Sequence, residues 1–133
     1  MKLKGRHLKD TTDRSMPYRQ WRWDAKTSGC YVQDIDQIEY RFKDGVLVPV
    51  AVIELTSSEG HTMDDGLRKA IVDRFATTGQ GKLLREVAKG LKCKAWAVLH
   101  GADMTELWVY NLTDVRGWWQ MTPERYREWL TSL

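Results

Sequence analysis

Hydrophobic positions along this chain change their spacing several times, and each change predicts an element. From Cys30 to Phe42 the residues alternate. Tyr31, Gln33, Ile35, Gln37, Glu39 and Arg41 form one set, and Cys30, Val32, Asp34, Asp36, Ile38, Tyr40 and Phe42 the other. A period of two is that of a strand. Lys43-Asp44-Gly45 follows, and an Asp-Gly pair between two such runs predicts a tight hairpin. Val46 to Leu55 then reads VLVPVAVIEL, too continuously apolar for a strand with one wet face. It is expected as a central strand covered on both sides, with Pro49 near its start at an edge or bulge.

Beyond it the period lengthens. Leu67, Ile71 and Phe75 recur at i, i+4 and i+8, the buried stripe of a helix ending near Thr77. Thr62 is its expected N-cap, with Asp64 and Asp65 in the first turn, where the helix dipole favours negative charge. Gly79-Gln80-Gly81 is expected to break the helix. Lys82 to Lys89 resumes it with Leu83, Leu84, Val87 and Ala88 inward, and Gly90 serves as the stop. Lys94 to His100 and Glu106 to Leu112 predict two more strands. Thr122-Pro123 opens a last helix, with Pro in the first turn and Tyr126, Trp129, Leu130 and Leu133 on one apolar face. Residues 1–28 show no comparable period, and Pro17 marks a turn because it restricts the residue before it. The order is hairpin, helix pair, two strands, helix, with no internal repeat. It predicts a single α/β domain over residues 1–133, a mixed sheet flanked by helices, with a basic lead-in over residues 1–28.

Composition narrows the setting. The chain has 133 residues, 42% of them hydrophobic, enough for one buried core. No run approaches the ~18 apolar residues of a membrane span, so no membrane partner is expected. The basic start is not followed by an apolar segment, so no secretory signal is expected. Cys30 and Cys93 stand alone in the sequence, and this spacing suits a reducing, cytoplasmic setting. The formal net charge is +3, unevenly placed. Lys2, Lys4, Arg6, Lys9, Arg14, Arg19 and Arg22 crowd the first 22 residues against only Asp10 and Asp13. Lys82, Arg85, Lys89 and Lys92 recur at helical spacing. Such a stripe either tracks a phosphate backbone or is an ordinary solvated face. Trp21 and Trp23, interleaved with Arg19 and Arg22, could stack bases, whereas Trp96, Trp108 and Trp129 are expected in the core.

Glu54 is the residue that asks for chemistry. It ends the apolar run Val50-Ala-Val-Ile, where an ionised carboxylate costs several kcal/mol unless it is paired or bound to a cation. Across the hairpin lie Asp34 and Asp36, a residue type that strands avoid. Two arrangements are open. The three carboxylates converge on Mg²⁺ or Mn²⁺, or Glu54 pairs with an arginine while both aspartates face water.

Asp34-Ile-Asp36, a hairpin, and Ala51-Val-Ile-Glu54-Leu-Thr56 together resemble the second and third motifs of the PD-(D/E)XK nuclease superfamily. The following helices and strands resemble its restriction-endonuclease-like core. Asp13-Arg14 and Tyr18-Arg19-x-Trp21 are similar to the lead-in of its small phage-type members. The resemblance implies a metal-dependent DNA endonuclease. Asp36, Glu54 and the Leu55 carbonyl would hold Mg²⁺ or Mn²⁺, and Asp34 would be a secondary ligand. It also implies DNA as partner, contacted by Arg14, Arg19, Arg22, Lys82, Arg85, Lys89 and Lys92, and a homodimer as a reasonable assembly, since one site cuts one strand.

Thr56 departs from the pattern, because the family carries Lys there. Either a lysine has migrated from another element, Lys82 (paired with Gln80) or Lys69 being the candidates, or the fold keeps its nucleic-acid surface and has lost hydrolysis. The other class of reading is a structural or partner-binding protein whose acids are merely polar.

Overall fold

Asp44 and Gly45 adopt left-handed backbone angles, φ of 52° and 78°, as a two-residue hairpin turn requires at both central positions. They join β1 (Gln37–Lys43) to β2 (Val46–Ser57). The pairing slips between Glu39 and Tyr40, which face Ala51 and Pro49 and leave Val50 as the extra residue of a bulge. Pro49 therefore sits beside the bulge, where its missing N–H costs least. The computed structural model describes residues 12–25 and 31–133, and the chain divides into two compact units, residues 1–33 and 34–133.

In the second unit β2 runs parallel to β3 (Lys94–His100), from Ala51 opposite Lys94 to Ser57 opposite His100. Antiparallel pairs then add β4 (Leu107–Asn111) and β5 (Trp118–Met121), so the five strands lie in chain order. This is a mixed α/β sheet. A parallel pair needs a long crossover, and α2 (Asp65–Thr77) with α3 (Gly79–Gly90) supplies it.

One sheet face packs Val52, Ala95, Ala97 and Leu99 against Ile71 and Phe75 of α2 and Leu84 and Ala88 of α3. The other packs Ala51, Ile53, Trp96, Val98 and Val109 against Tyr126, Trp129 and Leu130 of α4 (Pro123–Ser132). The rings of Trp96 and Trp129 meet edge-on at 4.9 Å. Arg41 ties the hairpin to that side by donating to the Leu130 carbonyl at 2.6 Å. Thr122 caps α4 as expected, its hydroxyl accepting from the Arg125 N–H at 3.1 Å.

Several expectations are corrected. The strand predicted from Cys30 begins only at Gln37. The Asp36 side chain takes the Leu55 N–H, at 2.8 Å, that a further ladder bond would have used. The N-cap of α2 is Asp64, not Thr62, because the Asp64 carboxylate accepts the Leu67 N–H at 2.9 Å. Gly79-Gln80-Gly81 does not break the helix region. Thr78 alone separates α2 from α3, and the three residues form the first turn of α3.

Gly81 makes that junction possible, since a Cβ there would lie 1.7 Å from the Phe75 carbonyl oxygen. Leu83 is exposed rather than inward; Gly81, Leu84 and Ala88 form the buried face of α3. Gly90 is still helical, and the left-handed residue that follows the helix is Lys92, with φ of 58°. Strand β5 escapes the periodicity because four residues are too few to show one.

The first unit holds α1 (Thr12–Asp24), which runs through Pro17, where the sequence predicts a turn. Gln20 donates to Asp24 at 3.1 Å, one helical turn on. The basic residues of positions 1–11 and Cys30 lie outside the described residues, as does the side chain of Arg14.

Candidate active site

The last ladder pair is Gln37 opposite Ile53, so continuing the register one step sets Asp36 opposite Glu54. Glu54 belongs to the β2 face that carries Val52, the face covered by α2 and α3, and its exposure is 8%. The neighbouring position on β3 is Ala97, and this strand's small Ala95 and Ala97 let the helices approach closely. From the first turn of α3, Gln80 Nε2 donates to Glu54 Oε1 at 2.8 Å. Glu54 Oε2 is buried with no hydrogen-bond partner among the described residues. From the last turn of α2, Arg74 Nη2 donates to Thr56 Oγ1 at 3.2 Å. Thr56 is two residues beyond Glu54, on the same face of β2.

These neighbours push the Glu54 carboxyl up from 4.5 to about 7. Burial is the largest cause, and the Asp36 carboxyl adds to it through charge and a side-chain hydrogen bond. The Asp36 backbone N–H and the Arg74 charge pull the other way and lose. Ionised, Glu54 keeps the Gln80 amide and the weak pull of the Asp36 N–H, and its Oε2 makes no well-formed hydrogen bond among the described residues. Protonated, the same carboxyl can share its hydrogen with Asp36. Two neighbouring carboxyls disfavour each other's ionised form, and a shared proton or a cation relieves this.

No family model, no curated protein and no solved structure matches this chain. What the site can do is therefore read from its own residues.

Of the residues the sequence singles out, the structure brings Asp36, Glu54, Leu55, Thr56 and Gln80 together. Asp34 stays apart. Among the described residues no group of three His, Cys, Asp or Glu side chains is placed to share a metal ion. Asp34 lies ahead of β1, in chain that has already left the ladder.

Lys82 is exposed. It follows Gln80 by two residues, roughly 200° around the helix at ~100° per residue, so the turn that aims Gln80 at Glu54 aims Lys82 away. Lys69 is exposed on α2. The basic stripe is also broken. Arg85 is half-buried and donates to the Phe75 carbonyl at 3.3 Å, and Lys92 lies past the end of α3, leaving Lys82 and Lys89 exposed on the helix. In the first unit, Arg19 and Arg22 lie in α1, whose Trp21 and Trp23 are 63% and 86% exposed.

Arg74 is the site residue that sequence reasoning missed. The signal was present. Arg74 follows Ile71 by three and precedes Phe75, so it borders the buried stripe of α2 in the turn that ends above the strand.

Proposed function

We propose that this chain is a metal-dependent DNA endonuclease of the PD-(D/E)XK type, with a restriction-endonuclease-like core. The observation that carries the reading is the buried Glu54 carboxyl, one oxygen without a hydrogen-bond partner among the described residues, set beside the Asp36 carboxyl at the end of the hairpin ladder. A structural role gives no reason to keep two such groups adjacent, because their mutual repulsion and burial work against the fold.

The donor set fits Mg²⁺ or Mn²⁺, hard cations that prefer carboxylate and carbonyl oxygen. Asp36, Glu54 and the Leu55 carbonyl would hold the ion. Leu55 already turns its N–H toward Asp36, and in an antiparallel strand the N–H and C=O of one residue point to the same neighbour. When bound, the ion would supply a water of lowered pKa and polarise the phosphodiester.

The rest is done by the chain itself. Gln80 fixes the Glu54 carboxylate by one oxygen and leaves the other available. Asp36, anchored on the Leu55 N–H, keeps its position against that charge. Thr56, in the place of the family's lysine, can only donate or accept a hydrogen bond, so the positive charge must come from elsewhere.

DNA is the partner this reading requires, with Lys82 and Lys89 on α3 as backbone contacts. A pair of copies would cut both strands. The setting is cytoplasmic, the host's cytoplasm if the protein is phage-encoded; among the described residues no helix is long and apolar enough to cross a membrane.

Mn²⁺ titration together with cleavage of plain and branched duplexes in Mg²⁺ and Mn²⁺ tests the proposal. Binding of about one ion at the Asp36–Glu54 pair with metal-dependent cutting is the expected result. No metal binding and no cutting would refute it. The Thr56 substitution favours a second reading, a nucleic-acid-binding domain of the same fold without hydrolysis. It predicts DNA binding with no cleavage in either metal.

A further inference from the structure

A lysine is missing from this site, but a cation is not. Arg74 reaches Thr56 Oγ1 at 3.2 Å from the last turn of α2, so its guanidinium lies at the residue where the family pattern has its ammonium. The guanidinium carbon also packs 4.8 Å from the centroid of the buried Phe75 ring, a cation–π contact that limits where the group can swing. Phe75 is itself fixed, with 1% exposure in the core beneath α2. The Arg74 guanidinium thus has two neighbours, the Thr56 hydroxyl on the strand and the Phe75 ring on its own helix. A guanidinium carries five N–H donors in a planar fork that matches phosphate geometry, and Thr56 takes one of them.

We infer that Arg74 is the cation that contacts the phosphate at this site, a lysine's charge relocated from strand to helix and changed to arginine. The inference rests on the nuclease reading above. It also limits the chemistry. Arginine stays protonated under all working conditions and cannot act as the base.

In the hydrolysis, the water oxygen bonds to phosphorus and the bond from phosphorus to the leaving sugar oxygen breaks. The water's proton passes to solvent, and the leaving oxygen is protonated from solvent. Arg74 keeps all its protons throughout. Its contribution is charge and hydrogen bonding toward the non-bridging oxygens, which carry more negative charge as the water attacks.

The substitution Arg74→Gln separates charge from architecture, because the amide keeps an N–H to donate to Thr56. Single-turnover cleavage of duplex DNA in Mn²⁺ should slow roughly 10²–10³-fold in both Arg74→Gln and Arg74→Ala, the scale for losing one positioned electrostatic group. Melting curves and Mn²⁺ titration of the same variants establish that fold and metal site persist. Adding Thr56→Lys to Arg74→Gln returns a positive charge to the same place and should recover at least about tenfold of the rate. Arg127→Ala, on α4 across the sheet, should cut like the wild type.

If the wild type cleaves and Arg74→Gln cleaves within about threefold of it, the inference is overturned while the nuclease reading stands. A slow Arg74→Ala beside a fast Arg74→Gln would likewise overturn it, showing a tether for Thr56 and no more. A wild type that cuts no DNA in either metal removes the nuclease reading and this inference with it.

Discussion

Replacing Glu54 by Gln removes a charge that works against the fold and keeps the shape that works for it. In the wild type the carboxyl is held at about 7, against 4.5 for an unperturbed glutamate. Between those values the folded protein holds a proton that the unfolded chain releases, so stability contributed by this group is full below pH ~4.5 and is lost as pH rises through ~7. At ~1.4 kcal/mol per unit, the ionised group costs the fold about 3 kcal/mol above neutrality. The amide in Glu54→Gln retains an oxygen to accept from Gln80 and gains an N–H to offer Asp36.

In EDTA at pH 8 the variant should therefore be more stable than the wild type by up to about 3 kcal/mol, or roughly 10 °C in Tm for a chain of this length. At pH 4.5 the two should melt together. Thermal and urea unfolding at pH 4.5, 6 and 8 reads the difference directly. Added Mg²⁺ should raise the wild type and leave Glu54→Gln unchanged, since only the carboxylate gains a partner. A variant less stable at pH 8, or a difference that does not change with pH, would refute the reasoning. It would mean that Arg74 and the Asp36 N–H already compensate the charge.

Gly81→Ala should destabilise the protein by at least about 2 kcal/mol in a thermal melt, because its Cβ meets backbone rather than a side chain that could move. It should weaken Mn²⁺ binding as well, since a displaced first turn of α3 carries Gln80 away from Glu54. Glu54→Ala should abolish Mn²⁺ binding in calorimetry without a large loss of stability. Reversing Lys82 and Lys89 to Glu should weaken binding of every DNA sequence alike and flatten its salt dependence in a fluorescence titration. Arg85→Glu should instead lower Tm, because Arg85 donates to the Phe75 carbonyl where α2 meets α3.

Much of this molecule is legible in one dimension. The Asp44-Gly45 turn, the apolar run of β2, the α2 stripe of Leu67, Ile71 and Phe75, and the Thr122-Pro123 start of α4 follow from local backbone chemistry and from period. Both are properties of neighbouring residues. Glu54 stood out for the same reason, as an acid at the end of a run too apolar to be wet. Asp36 and Gln80 were within reach too, one through the hairpin and the other through resemblance.

What the sequence could not carry was which way each side chain turns once the elements meet. Where β1 begins was decided by a side chain, Asp36, taking a backbone donor on the opposite strand. That α3 starts one residue after α2 depended on the space at Gly81, which exists only against the folded Phe75 carbonyl. The resulting rotation of α3 points Gln80 inward and leaves Lys82 exposed. It is Arg74, 18 positions from Thr56 in sequence, that arrives at the site. Period and propensity report on residues a few positions apart, whereas a charge acts through space, so the partner of a buried carboxyl is fixed only when helices settle on the sheet.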